Sequence, residues 1–381
     1  MKKQLKKIFP RVFLKQCFLL INSFKNRTLD QILFSTYQPE EGELKLYEKK
    51  NPFLDLEIDI EIFPHNIQVG FSRWNNPNWR QDQYILEIKN KVILIEPYTG
   101  WGITGGNKLI YFSLGFGNAP YVHKPHIIDL FFRKRNEIIL PMAISLRDTG
   151  EENYFHFYND VLSKLLLLRD HSMLDQAAHI VISQRLWEKH YFQTFLNKTW
   201  LGQLKWYVQQ HDEWVRTKHV IFCKPYTHTK KFLAELVDLV KPAFPGVSNN
   251  KILLTRGPGS LRFIENEAEI FSVLQKYGFQ KIDTNSLTLK EQIDLFYSAS
   301  DVVAIHGAGI TNIIFRKGAP LRLLELFHRN EYLPFHYIML ARIFGFGYAA
   351  IRGAKGLRSG SGGFYIDPAQ VEAYCKSVVV V

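Results

Sequence analysis

Long apolar runs, disulfide-forming cysteines and a broad surplus of basic residues are all missing from this chain of 381 residues. Its three cysteines, Cys17, Cys223 and Cys375, are odd in number and far apart, which excludes a disulfide framework and suits a reducing cytoplasm. The longest apolar stretch of the N-terminal tail, residues 17–21, is too short to span a bilayer or to form a typical signal-peptide core. No transmembrane helix is expected elsewhere. The net charge of +12 is concentrated, because residues 1–30 hold eight Lys and Arg against one Asp. The remaining body is only mildly basic, which argues against a nucleic-acid partner.

What is present is a globular chain, 46% hydrophobic and 22% charged, long enough for two domains. In the tail, Phe13, Cys17, Leu20 and Phe24 recur at helical spacing opposite Lys15, Asn22 and Lys25. Residues 1–27 can therefore lie on an anionic membrane surface, or pack on the body with a solvated face. The expected location is cytoplasmic, peripheral on the inner membrane face.

Residues 53–63 alternate apolar Leu54, Leu56, Ile58 and Ile60 with acidic Asp55, Glu57, Asp59 and Glu61, which predicts a strand with one acidic face. Further strands are expected at 83–88, 91–95, 108–114 and 137–144, with a hairpin at Thr104-Gly105-Gly106-Asn107. A helix over 154–169 follows this β-rich portion, and then strand (178–183, 219–223) and helix (186–198, 229–239) signals alternate. The Pro/Gly/Asn-rich stretch 241–250 marks a domain boundary. Beyond it strands at 251–255, 280–283, 301–306 and 321–327 alternate with helices at 266–277, 289–299 and from 309. That rhythm predicts a parallel, Rossmann-like sheet with ligands at the carboxyl ends of its strands. The expected division is a basic tail 1–30, a first domain 31–240, a second domain 241–352, and a segment 353–381. That last segment holds a Gly/Ser-rich loop and a helix at 369–376 that can cross back to the first domain.

Three constellations carry chemistry. His306-Gly307-Ala308-Gly309-Ile310-Thr311-Asn312 joins a strand to a helix through two glycines, so the backbone can approach a ligand and helix N–H groups can hold an anion. It lacks the third glycine of a dinucleotide fingerprint and the Gly-Lys-Ser/Thr of a P-loop. Arg256 and Arg262 sit on a glycine-rich loop after the first strand of the same sheet, at the same edge, as a clamp for a diphosphate. Glu325, near the end of the next strand, can bond ribose or sugar hydroxyls or balance Arg322. In the first half, Asn153 caps the helix on which His156, Asp160 and Lys164 form one polar stripe. His156 has the acidity to accept a proton at neutral pH, and Asp160 can hold its tautomer or act as the base itself; a satisfied structural histidine is the alternative. A nicotinamide enzyme would need its glycines after the first strand, where Arg256 and Arg262 stand instead.

Taken together, Asn153, Tyr154, His156 and Asp160, then Arg256, Arg262, Glu267, Gly278-Phe279, Gln292, His306-Gly307-Ala308-Gly309, Thr311, Asn312 and Glu325 resemble glycosyltransferase family 61. Phe157 stands where that pattern has Trp, and Gly257-Pro258-Gly259 expands the arginine loop. The resemblance implies an α/β, GT-B-like fold of two Rossmann-like domains facing a cleft, with an N-terminal β-rich portion. It implies an inverting transferase moving sugar from a nucleotide sugar such as a UDP-sugar to a glycan or polysaccharide hydroxyl, without cofactor or metal. Donor contacts would come from Arg256, Arg262, His306, Gly307, Ala308, Gly309, Thr311, Asn312 and Glu325. Acceptor contacts would come from Asn153 and Tyr154, and the base would be His156 or Asp160. A nucleotide- or sugar-binding protein without catalysis would use the same clamp.

Overall fold

Two β-sheets of different character divide the chain. A computed structural model describes residues 35–47, 49–115, 122, 124–125, 135–240, 248–256, 262–328, 333–356 and 362–377. The basic tail and the Gly-Pro-Gly of the arginine loop lie outside the described residues.

The first sheet holds β1 (Leu44–Leu46), β2 (Tyr84–Ile95), β3 (Gly102–Thr104), β4 (Leu109–Ile110), β5 (Asn136–Leu140), β6 (Ala143–Ser145), β7 (His179–Ser183), β8 (Trp206–Gln209) and β9 (Glu213–Lys224). Its order is β4-β3-β2-β9-β6-β7-β8, with β1 beside β2 and β5 beside β9. On the β2 side every pairing is antiparallel, whereas β5, β6, β7 and β8 are parallel to their neighbours. The first half is thus a mixed sheet and not the Rossmann-like unit expected. The two runs expected at 83–95 form one long strand, which kinks at Asn90 (φ 59°) where its register against β9 shifts. Pro141, which has no N–H to donate, splits the run expected at 137–144 into β5 and β6.

The second sheet holds β10 (Asn250–Leu254), β12 (Phe279–Ile282), β13 (Ala299–Ile305), β14 (Arg322–Phe327) and β15 (Gly347–Arg352), all parallel. A short β11 (Phe263–Ile264) leaves it to pair with β16 (Ala354–Lys355) and β17 (Gly363–Tyr365) in a small third sheet. The order β12-β10-β13-β14-β15 reverses direction between β10 and β13. In a doubly wound sheet that reversal opens a crevice at the strand ends, because successive crossovers leave to opposite sides.

Residues 53–63 form no strand. Asn51 accepts hydrogen bonds from the backbone N–H groups of Phe53 (3.0 Å) and Leu54 (3.1 Å), and Pro52 presets the first turn of a short helix, Pro52–Asp55. A second helix, His65–Phe71, then carries Phe71 into the core, against Phe53, Phe63 and Phe327. Trp74 donates its indole N–H to the carbonyl of Leu333, and Phe63 meets Tyr348 edge-on at 5.8 Å. This early segment therefore packs on the second sheet although it precedes most of the first. The C-terminal helix Pro368–Lys376 does not cross back. Its Val371 and Tyr374 bury with Leu253, Ile264 and Ile270 in a core of the second half.

One hydrophobic core runs through both halves, from Phe53 and Phe71 through Phe155 and Tyr158 to Phe315, Phe327 and Tyr337. Among the described residues no helix is long and apolar enough to cross a membrane. Phe71→Ala should lower unfolding stability by about 3–5 kcal/mol, measured by denaturant titration, because it empties a fully buried site between the halves. A loss under about 1 kcal/mol would show the segment to be loosely docked.

Candidate active site

At the end of β13 the chain passes through His306 and Gly307 into the helix Ala308–Arg316, a 3₁₀-helix that starts one residue before the expected position. Ile310 N–H returns to the Gly307 carbonyl at 3.0 Å, so the N–H groups of Ala308 and Gly309 precede the first bond of the helix. Gly307 is extended (φ 165°), a conformation open to any residue. What favours glycine is contact: a Cβ there would lie 1.8 Å from an Arg256 guanidinium nitrogen, so any other residue would displace that side chain. At Gly309 a Cβ would meet only ordinary neighbours, 3.7 Å or more away.

Arg256 leaves the end of β10, and Gly307 the end of β13, so the two meet at the reversal point of the sheet. A cavity of about 590 Å³ opens there, lined by Arg256, Gly307, Ala308 and Gly309 and, from the first half, Tyr154 and Tyr191. That volume suits a drug- or nucleotide-sized ligand. Burial, and then the charge of Arg262, holds the Arg256 guanidinium below its ordinary pKa. A bound anion would relieve this stacking of like charges.

Several expected contacts are engaged elsewhere. Asn312 is buried, accepting from the Tyr154 hydroxyl (2.6 Å) and donating to Gln292 (2.9 Å), so it ties the halves together and does not face the cavity. Thr311 is buried beside it. The Tyr154 hydroxyl is spent on Asn312 and Tyr158, leaving its ring as wall. Asn153 caps its helix through the Phe155 N–H and stands outside the cavity lining. Glu325 is fully buried between His306 Nδ1 (2.5 Å) and the Tyr348 hydroxyl (2.6 Å) and cannot bond a sugar. Nor does it balance Arg322, which pairs with Asp301. Burial raises Glu325 to about 8, whereas burial and the charges of Arg262 and Arg256 push His306 down to about 3.

Across from this turn, the helix capped by Asn153 begins as α (Tyr154–His156), widens to π (Phe157–Leu162) and resumes as α (Ser163–Asp170). The wide turn leaves the Tyr158 carbonyl to the Ser163 hydroxyl (2.9 Å). His156 Nδ1 is hydrogen-bonded to Asp160 Oδ2, and Asp160 Oδ1 accepts from Asn159. Burial alone would lower the His156 pKa, but the charge and hydrogen bond of Asp160, with Asp148 and Glu152, raise it above 6.5. Burial opposes ionisation of Asp160 too, yet His156, Asn159 and Lys164 hold its carboxyl below the usual range. Lys164 takes no part in the cleft, since its ammonium is buried on Asp148 at 2.9 Å.

The first residues of the helix His336–Phe344, unforeseen from the sequence, touch both groups. Phe155 packs on His336 (4.4 Å) and Tyr337 (6.0 Å), while Tyr337 also lies 5.3 Å from the His306 ring. His336 stacks on His228, and burial holds both imidazoles neutral, His336 down to about 3. The only trace of this in the sequence is a histidine within the aromatic run Phe335-His336-Tyr337.

The stretch from the Tyr154 ring to the turn after the His306 helix is what known proteins share with this chain. Residues 154–320 match the glycosyltransferase 61 family. The glycosyltransferase 61 match takes in His156, Asp160, Arg256, Arg262 and the His306 turn, and stops before Glu325. No curated protein matches the sequence. Among solved structures, the dodecameric iron-containing heptosyltransferase TibC in complex with ADP-D-beta-D-heptose is similar at 10% identity and TM-score 0.30, over 64% of this chain and 75% of that one. So loose a likeness carries neither fold nor chemistry across.

Gly307→Ala should drive the guanidinium of Arg256 off the turn and weaken the binding of a diphosphate-bearing ligand in this cavity by about tenfold or more in calorimetry. Gly309→Ala, with room for its methyl, should cost less. Equal losses would remove Arg256 from the explanation.

Proposed function

We propose that this protein is an inverting glycosyltransferase that moves a sugar from a UDP-linked donor to a hydroxyl of a glycan or cell-surface polysaccharide, without a metal. The observation that carries this reading is the Arg256 guanidinium laid over Gly307, beside the leading N–H groups of the next helix, in the reversal-point cavity. A cation and aligned N–H dipoles at one spot suit a diphosphate, and they would take up the charge that develops on it as it leaves. Family membership over residues 154–320 supports the sugar-transfer chemistry. The work would be done at the inner membrane face, with residues 1–27 on anionic lipid.

Inversion needs one displacement. The acceptor oxygen bonds to the anomeric carbon as the bond from that carbon to the diphosphate oxygen breaks, and the hydroxyl proton passes to a base. Both Asp160 oxygens are engaged, one by His156 and one by Asn159, which makes Asp160 the orienting group. With Nδ1–H donated to Asp160, Nε2 of His156 is the nitrogen free to take the proton, and a raised pKa strengthens it as a base. The two reacting sides sit in one packed unit, since Phe155 and Tyr158 on the base helix bury against Tyr337 and Phe315. The reading therefore needs no closing of two separate domains.

Incubation with a panel of nucleotide sugars should give transfer or slow donor hydrolysis, with the UDP sugars active. The rate should rise with pH through a value above 6.5, because the base works only when neutral. His156→Ala should lower the rate by about 10²–10⁴-fold. Asp160→Asn removes the charge that raises His156, so the pH limb should move down. UDP binding without turnover of any donor would leave a nucleotide-binding protein instead.

A further inference from the structure

The trio His306, Glu325 and Tyr348 has no counterpart in the mechanism above. We propose that Glu325, backed by Tyr348, keeps its proton and donates a hydrogen bond to His306 Nδ1, so that His306 Nε2–H stands as an uncharged donor to the anion bound at Gly307. The proposal rests on the donor-site reading and deepens it. It makes Glu325 and Tyr348 positioning residues, and His306 a ligand contact whose hydrogen is fixed in advance.

The hydrogen-bond inventory decides the proton's place. The Tyr348 hydroxyl donates to Glu325 Oε2 at 2.6 Å, so only Oε1, 2.5 Å from His306 Nδ1, is left to carry a proton toward the ring. Two ways of filling that bond are open. In one, a carboxylate faces an imidazolium; in the other, a carboxylic acid donates to a neutral ring. Glu325 is wholly buried and His306 nearly so, and two charges without water cost more than their attraction returns unless further partners satisfy them. The groups facing the ring add to this. Arg256 and Arg262 oppose a cationic His306, His336 beside it is held neutral, and Tyr337 and Phe327 offer aromatic faces.

The neutral arrangement puts the remaining ring hydrogen on Nε2, which has no hydrogen-bond partner among the described residues and is not sealed from solvent. His306 stands outside the cavity lining but directly precedes Gly307, so Nε2–H would add a directional donor at the edge of a site where Arg256 and Arg262 already crowd their charges. A third cation would cost folding stability, whereas a neutral donor strengthens anion binding without it. Above the Glu325 pKa of about 8 the carboxylate would pull the ring hydrogen to Nδ1. Nε2 would become an acceptor facing phosphate oxygen, so UDP affinity should fall as the pH rises through about 8.

NMR of isotope-labelled histidine in the full chain, with His306 assigned through His306→Gln, reads the tautomer from about pH 5.5 to about 9. A neutral Nε2–H ring below about 8 is expected. An imidazolium near pH 7, or an Nδ1–H ring, would overturn the proposal. Calorimetry with UDP supplies a second arm. Glu325→Leu should weaken binding by about tenfold. Glu325→Gln, whose amide can donate to Nδ1 and accept from Tyr348, should recover most of that loss and abolish the alkaline decline. A Gln variant as weak as the Leu variant would count against the relay, even where both fold. If the unaltered protein binds no UDP, the donor-site reading fails while the NMR arm still decides the tautomer.

Discussion

The contact of Arg256 with Gly307 is the constraint on which the rest of the site hangs. A guanidinium can rest on a backbone only where no side chain intervenes and where two strand ends come side by side. The second condition is met because β10 and β13 are direct neighbours in register, Leu254 opposite Ala304, with their crossovers leaving to opposite sides. Burial of both strands fixes that register, since Leu253, Val302 and Val303 are fully covered. Any shift of one strand would carry the arginine off the glycine and turn buried side chains toward the wrong face.

The two sides of the site differ electrically. Around His156 stand Asp160, Asp148 and Glu152, which favour the protonated ring. Around His306, His336 and His228 burial wins, and His306 also faces two guanidiniums. One set of imidazoles is thus tuned to gain a proton and the other to stay neutral, a division of labour made by environment and not by residue type. The helix His336–Phe344 borders both settings through its first residues, His336 against Phe155 and Tyr337 against the His306 ring.

Much of the second sheet was legible because its strands are apolar and regularly spaced by helices. β10, β12, β13 and β14 fall within a residue or two of expectation. The meeting of Arg256 with the His306 turn followed from topology alone. Other features escaped. The alternation at 53–63 mimicked a strand, although Asn51 and Pro52 carried the stronger local instruction, a capped helix start. Glu325 and Asn312 are polar residues near the ligand edge whose partners, Tyr348 and Tyr154, lie far off in sequence, so pattern could not distinguish a ligand contact from a buried brace. The mixed first sheet was hidden because β8 is only four residues long and the first half of β9, Glu213–Lys218, is largely polar and does not read as core.

The early segment that docks on the second sheet has a consequence for how the chain comes into being. Trp74 and Leu333 are 259 residues apart, and Phe71 packs on Phe327. During synthesis, residues 52–74 emerge long before the surface that covers them, so their apolar side chains wait while some 250 further residues are made. The first half is incomplete until the second has folded, which makes assembly an event of the whole chain with the slow, non-local closure that such contacts impose. Cutting at 241–250 would leave each fragment with a bare face: Phe71 and Trp74 on one, β15 and Leu333 on the other.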